Sequence, residues 1–488
     1  MSARTALGVR PEQVTRGAGG RNRDVLSYGG GMGGRMVVVG ADATGMAAAS
    51  QARRLRDVGE LEIVVFEKGN HSSYSACGIP YWVAGDVPGA DDLIARSVAE
   101  HRARDIDLRM RTEVTEIDPV GRRVLSRDLG TGAQGWTAYD QLVLATGATP
   151  VRPPLPGIDA EGVYGVQTLD DGQALIDGLE SATGREAVVV GAGYIGVEMA
   201  EALVRRGFEV TMITRAAEPM STLDSDMGAL VRKAMEGMGI RIIRDVEVTG
   251  MRTAADGKVC AVTTADAEYP AAVVVLGIGV RPATDLARQA GLPLGESDGL
   301  LTDLAQRVRG YDDIWAGGDC VEVLDLVSGT LRHIPLGTHA NKHGQVIGSG
   351  VGGGYATFPG VVGTAVSKVC DLEVARTGLG EKDARRAGLQ FHCVSIESTG
   401  RAGYFPGAEP MTVKMLAERR TGRLLGVQIV GRDGAAKRID IAAVALTARM
   451  TVEQVTALDL GYAPPFSPVW DPVLVAARAA VRAVAEGR

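Results

Sequence analysis

The chain is poor in aromatic residues: Trp, Tyr and Phe make up 4% of 488 positions, while glycine reaches 66. That balance suits tight turns and phosphate loops better than a β-sandwich. Cysteine is scarce too. The five cysteines, at 77, 260, 320, 370 and 393, form no Cys-x-x-Cys pair. This excludes a disulfide scaffold or a zinc site and makes cytoplasmic residence the simple expectation. No apolar run reaches the ~18 residues of a membrane span, and residues 1–35 lack the apolar segment of a signal peptide. A basic excess is also missing. The formal net charge of −7 argues against a general nucleic-acid binder, which needs a positive face. The remainder is ordinary for a globular protein, 45% hydrophobic and 23% charged, with room for about three domains.

Residues 1–35 are rich in Gly and Arg without periodicity, and are expected to be a disordered or added extension, with Met36 placed to be the native initiator. From Met36 a short apolar run of the buried parallel-sheet kind leads into Gly40-Ala41-Asp42-Ala43-Thr44-Gly45. A helix follows, through Ala47 to Ser50. Leu61–Phe66 reads as the next strand and ends at Glu67, 22 residues beyond Gly45, near the ~20 at which a carboxylate meets a ribose. Phosphates would sit on the helix N-terminus, where free N–H groups and the dipole favour anions. Asp42 replaces the middle glycine of the fingerprint.

The pattern returns intact at 186–215. Ala187–Val190 runs into Gly191-Ala192-Gly193-Tyr194-Ile195-Gly196 and a helix, then a strand, Glu209–Ile213, ending at Thr214-Arg215. Thr214 cannot be the ribose carboxylate, and Arg215 could neutralise a 2′-phosphate. NADPH is therefore expected over NADH, or use of both. Tyr139 to Pro150 carries a buried strand into Ala145-Thr146-Gly147, where bare backbone can approach a cofactor. Ala272 to Pro282 closes the second unit, and Ile314 to Cys320 ends a strand on Gly317-Gly318-Asp319. Leu336 to Gly344 opens another helix. From about 356 strands and helices alternate without a phosphate loop. The expected fold is α/β: two Rossmann-like units and a C-terminal α+β domain. The boundaries expected are 36–155 and 285–355 for the first unit, 156–284 for the second, and 356–488 for the third.

One stretch organises the rest: Ser73-Tyr74-Ser75-Ala76-Cys77-Gly78-Ile79-Pro80-Tyr81, a lone cysteine just downstream of a dinucleotide fold. Taken with the two glycine loops, Ala-Thr-Gly and Gly-Gly-Asp, it resembles the pyridine nucleotide-disulfide oxidoreductases. Within them it resembles the single-cysteine group of coenzyme A-disulfide reductases, NADH oxidases and peroxidases, and coenzyme A-linked polysulfide or persulfide reductases. The resemblance runs from about residue 36 to about 478.

It implies that Cys77 is the redox sulfur, cycling through a mixed disulfide with coenzyme A. It implies that Gly40, Ala43, Gly45, Glu67, Lys68, Thr146, Gly147, Asp319, Thr338 and Ala340 line the FAD site. Gly191, Gly193, Tyr194, Ile195, Gly196, Arg215 and Gly279 would line the pyridine nucleotide site, with Tyr194 gating the nicotinamide. Tyr404 and Tyr462 resemble the two tyrosines that reach the active site from the partner subunit of a homodimer. Flavin, a helix start after Cys77 and these phenols would together lower the thiol from its usual ~8.5.

Departures narrow the choice. No second cysteine stands near Cys77, so an internal disulfide is excluded. Ala43 occupies the place where oxidases and peroxidases carry a histidine, which argues against oxygen or peroxide chemistry. Phe405 and Phe466 stand where relatives often have a further tyrosine, and Trp470 where many have a smaller or basic residue, so the indole would reshape the substrate channel. The expected function is FAD-dependent, NAD(P)H-driven reduction of a small-molecule disulfide, persulfide or polysulfide. The alternatives are an NAD(P)H oxidase and a flavoprotein whose cysteine forms an adduct without reduction. The other four cysteines are expected to be incidental.

Overall fold

A computed structural model describes residues 34–487. The extension expected over 1–35 lies outside the described residues up to position 33. Gly34 and Arg35, however, belong to the first strand, Gly34–Val39. The Arg35 backbone N–H donates to Asp140 Oδ2 at 2.6 Å and its guanidinium pairs with Glu62 at 2.6 Å. Those bonds carry the strand two residues beyond its apolar run.

Gly34–Val39 is the centre of a five-stranded parallel sheet. Its order is Ile314–Ala316, Gln141–Leu144, Gly34–Val39, Leu61–Phe66, Asp107–Arg109. Val37, Val38, Val64, Val65, Leu142 and Val143 are almost wholly buried, as expected of strands covered on both faces. The helix Ala43–Leu55 follows the first strand and lies along Gly337–Val351. Two glycines allow the approach. A Cβ on Gly344 would stand 2.5 Å from Ala47 Cβ, and one on Gly348 2.4 Å from Ala48 O. Thr44 Oγ1 donates to Ala340 O at 2.9 Å. These contacts advance together along both helices, so the two run parallel and their N-termini open at the same end of the sheet.

A second parallel sheet has the order Arg241–Ile243, Glu209–Ile213, Glu186–Val190, Val273–Leu276, Val163–Tyr164. Its crossover helix is Tyr194–Arg205. The C-terminal unit is a five-stranded antiparallel sheet in the order Ala365–Val369, Leu372–Gly378, Leu424–Gly431, Pro410–Glu418, Phe391–Thr399. Helices Ala435–Thr447 and Pro472–Glu486 pack on it. This is the α/β plus α+β architecture that the sequence predicts.

The C-terminal unit is pinned to the second sheet by buried polar bonds. Lys414 Nζ, with a side chain 3% exposed, meets Asp224, Asp226 and Glu381 at 3.2, 2.6 and 2.7 Å. Glu201 accepts from Lys368 Nζ at 2.8 Å and from the Cys370 N–H at 2.7 Å. A buried charge is tolerated only when paired, and here each is. Among the described residues no helix is long and apolar enough to cross a membrane.

Candidate active site

Cys77 lies in a single 3-10 turn, Ala76–Gly78, leading into the short helix Ile79–Ala84. The segment before it is tied to the first glycine loop. Ser73 N–H donates to Ala41 O at 3.1 Å, and Tyr74 N–H donates to Asp42 Oδ1 at 3.2 Å. Ser75 N–H donates to Leu93 O at 2.8 Å. Ser73 itself stands at φ +51°, and its hydroxyl bonds His101 Nε2 at 2.9 Å. On the far side, Ile79, Trp82 and Val83 join one apolar cluster with Val197, Met199 and Ala200 of the second unit's helix. The cysteine therefore sits where the two nucleotide units meet.

The first loop is closed by its own glycines. Gly40 adopts φ +105°, and a Cβ there would fall 2.2 Å from Ala145 O. One on Gly45 would fall 1.9 Å from Gly40 O. Glu67 braces this turn: its two oxygens accept from the Ala41 N–H at 2.8 Å and the Gly69 N–H at 2.7 Å. Asp42, in the middle place, has no cation against it. Burial first, then Glu67 and Asp319, push its carboxyl up to about 6, against the lowering effect of the Tyr74 N–H. Ala43 opens the helix, and Lys68 is exposed beside Glu67.

At the C-terminal end of the same sheet, Thr146 Oγ1 donates to Ala283 O at 2.7 Å and Ala283 N–H returns a bond to Gly147 O at 2.9 Å. Asp319 follows the neighbouring strand, its carboxyl pushed up by burial. Thr338 is exposed at the start of the helix Gly337–Val351, and Ala340 is buried against Thr44. A parallel sheet binds dinucleotides outside the C-terminal ends of its strands. This end fits such a group. Gly147 (φ +69°) and Gly279 (φ +100°) stand in the left-handed region with no heavy atom within 4 Å of a built Cβ. Their backbone is open to close approach.

The second loop has the same closure. Gly191 is at φ +99°, with a Cβ meeting Gly277 O at 2.4 Å, and Gly196 would place one 2.1 Å from Gly191 O. Gly193 is exposed, its nearest foreign atom 3.9 Å away. Tyr194 and Ile195 pack against the cluster beneath Cys77. The Tyr194 hydroxyl accepts from Arg376 Nε of the C-terminal unit at 3.1 Å. Arg215 is open to solvent, 3.5 Å from Glu247.

The groups of the chain around Cys77 act in one direction. The residue is exposed, yet burial heads the causes that push its thiol up, followed by the carboxylates of Glu198, Asp319 and Asp42. The residue stays open to solvent while its packed neighbours desolvate the sulfur. Within the chain, burial first and then these carboxylates push the thiol up, and the helix that follows it, Ile79–Ala84, is short. The same causes place Glu198 of the second unit and Asp319 and Asp42 of the first around one sulfur. Glu198, which sequence reasoning passed over, is held by Ser367 Oγ at 2.8 Å and is itself pushed up by burial. Its only signal is its place one half-turn beyond Gly196. Arg376 had none, lying 182 residues from Tyr194.

Tyr404 and Tyr462 are brought together. Interaction with the Tyr404 hydroxyl heads the causes that raise the Tyr462 phenol. Both are exposed, with Phe466 and Trp470 also exposed on the tail that carries Tyr462. Arg478 stacks on the Trp470 indole at 4.5 Å. Within the chain, among the described residues, no hydrogen bond joins either phenol to 73–81. Of the other cysteines, Cys320 and Cys370 are buried, Cys260 is half-buried, and Cys393 is exposed on the outer strand of the C-terminal sheet.

Known proteins match this arrangement along almost its whole length. The family model described as pyridine nucleotide-disulphide oxidoreductase matches residues 34–344, and that of the family's dimerisation domain matches 364–472. A Pyrococcus abyssi protein named NAD(P)H sulfur oxidoreductase (CoA-dependent) is 36% identical, over 91% of this chain and 97% of its own. An NADH oxidase of Methanocaldococcus jannaschii is 34% identical, over 92% and 99%. The solved structure of an NAD-dependent persulfide reductase from A. fulgidus superposes with a TM-score of 0.89 at 38% identity, covering 93% of this chain and 84% of that one. Matched in sequence and in fold over most of its length, the chain belongs to the pyridine nucleotide-disulphide oxidoreductase family.

Proposed function

We propose that the protein reduces a coenzyme A-linked disulfide, persulfide or polysulfide with electrons from NAD(P)H, through Cys77. The observation that carries this is the tie between Cys77 and the first loop. Ala41 O and Asp42 Oδ1 hold the backbone of Ser73 and Tyr74, so the segment that carries this exposed cysteine is fixed to the first glycine loop. The names of the P. abyssi and A. fulgidus relatives support the sulfur substrate. A cytoplasmic setting, which keeps thiols reduced, fits a cysteine that must act as a thiolate.

Gly40, Gly45, Glu67, Thr146, Gly147 and Asp319 would hold FAD, and Gly191, Gly193, Gly196 and Arg215 the pyridine nucleotide. FAD, when bound, supplies the two-electron exchange between NAD(P)H and a sulfur–sulfur bond. The chain's own part is at the sulfur. Cys77 Sγ attacks the sulfur that carries coenzyme A; a Cys77–coenzyme A disulfide forms, the old S–S bond breaks, and its other half leaves as a thiolate or hydrosulfide. Tyr404 or Tyr462, reaching in from the partner subunit of a homodimer, hands its phenolic proton to that thiolate. A phenol keeps its proton through the neutral range and can pass it to a thiolate within hydrogen-bond reach. Tyr194, held by Arg376, covers the nicotinamide side.

Oxidase activity is the second reading, favoured by the M. jannaschii relative. Against it stands Ala43, which offers no proton to a departing oxygen. Stopped-flow separates the two. Enzyme reduced by NADPH should be reoxidised by coenzyme A persulfide or disulfide ~100-fold faster than by air-level oxygen. The opposite order would make it an oxidase.

A further inference from the structure

We infer that Arg438 is a positioning residue for the two active-site tyrosines, holding both of their loops through one buried guanidinium. The inference rests on the reading of Tyr404 and Tyr462 as proton donors.

The two phenols lie within electrostatic reach of each other although 58 residues separate them in the chain, and both are exposed. No apolar core holds them in place. Their loops are joined beneath the surface instead. Ala402 N–H donates to Pro464 O at 3.0 Å. Under that bond lies Arg438, with 8% of its side chain exposed. Its Nη2 donates to Gly400 O at 2.7 Å and to Phe466 O at 2.8 Å. Gly400 lies four residues before Tyr404, and Phe466 four residues after Tyr462. Nε donates to Asp471 Oδ2 at 3.0 Å, and Nη1 to Gly434 O at 3.1 Å. The other oxygen of Asp471 caps the last helix by accepting from Val473 N–H at 2.9 Å, and Ser467 Oγ reaches Asp471 Oδ2 at 3.3 Å.

A buried ion pair is seldom the cheapest way to stabilise a fold, since apolar residues of similar volume often do as well. What a guanidinium adds is a rigid fork of donors. Here one terminal nitrogen spans the two carbonyls that flank the tyrosines. A lysine would keep the charge opposite Asp471 but, as a point donor on a flexible stem, could not hold both loops in one geometry.

The test uses the flavin-loaded dimer and two conservative variants, Arg438→Lys and Asp471→Asn. Hydrogen exchange is expected to rise in residues 400–407 and 461–467 together in both variants. Disulfide turnover should fall ~10-fold in kcat with KM for NADPH unchanged, because only the proton-delivery step is misaligned. In a Tyr404→Phe/Tyr462→Phe background the Arg438→Lys change should cost nothing further in kcat, since residues acting through one another are non-additive. Unchanged exchange in either loop would overturn the brace. So would a full ~10-fold loss that persists without the phenols. If the double tyrosine variant alone keeps full turnover, the proton-donor reading fails and the positioning role falls with it. The exchange result then still reports whether the fork joins the loops.

Discussion

In both glycine loops the first glycine takes a left-handed backbone, Gly40 at φ +105° and Gly191 at φ +99°. In both, the third glycine faces the carbonyl of the first, with room for no Cβ: 1.9 Å at Gly45 and 2.1 Å at Gly196. They part at the middle position and at the end of the second strand. The first loop has Asp42 and Glu67, both bonded to backbone N–H groups of the chain. The second has Gly193, exposed and bare, and Thr214-Arg215 with no carboxylate. The first loop is thus a fixture, laced to the cysteine segment. The second leaves only its middle glycine, Gly193, open. One closure is thus used twice, and the two loops differ in what stands at the middle position.

The largest effect comes from removing what only the first unit carries. Cys77→Ser should lower disulfide or persulfide turnover by ~10³-fold or more, as expected for loss of a nucleophile, while NADPH still reduces the bound flavin. Steady-state and stopped-flow rates on one preparation check both halves. Next come the glycines. Gly45→Ala should cost most of the bound flavin, read from the ratio of visible to ultraviolet absorbance, because no shift relieves a Cβ 1.9 Å from Gly40 O. Gly193→Ala, with 3.9 Å of clearance, should leave melting and flavin content unchanged and weaken pyridine nucleotide affinity by about tenfold through lost close approach.

Arg215→Ala is expected to raise KM for NADPH ~10-fold and leave that for NADH within about twofold, since only the former has a 2′-phosphate to lose. Equal changes would show that the end of the second strand reads no phosphate.

The smallest effect is at the middle residue of the first loop. The Asp42 carboxyl goes from its ordinary 3.8 to about 6 on folding, so the folded protein holds that proton more tightly than the unfolded chain. The resulting stabilisation is whole below 3.8 and is lost as pH rises through about 6. Asp42→Asn should flatten this slope and gain on the order of 1–2 kcal/mol at pH 7, seen as a higher Tm at pH 7 but not at pH 4. The same variant removes one carboxylate that raises Cys77, so alkylation of that thiol should begin at lower pH.

Much of this was legible because short-range signals fixed it. A four-residue apolar run before Gly40 and another before Gly191 can only be buried strands, and the spacing to Glu67 follows from one βαβ unit. Cys77 stood out as a lone thiol downstream. The charges around it did not, because Glu198, Asp319 and Asp42 reach it from three separate parts of the chain. Sequence distance hides such a field. The meeting of Tyr404 with Tyr462 was suggested only by resemblance. The fork that joins their loops, centred on Arg438, has no sequence signature at all: an arginine in the helix Ala435–Thr447 reads as surface charge until the loops fold over it.

The central claim is that Cys77 forms a covalent disulfide with the substrate's thiol. Mass spectrometry of the intact flavoprotein, treated with coenzyme A disulfide without reductant and then digested, tests it most directly. The account predicts one coenzyme A per chain on the peptide bearing Cys77, released when NADPH is added and absent in Cys77→Ser. Coenzyme A on another cysteine, or an unmodified Cys77 in enzyme that still turns over disulfide, would contradict it.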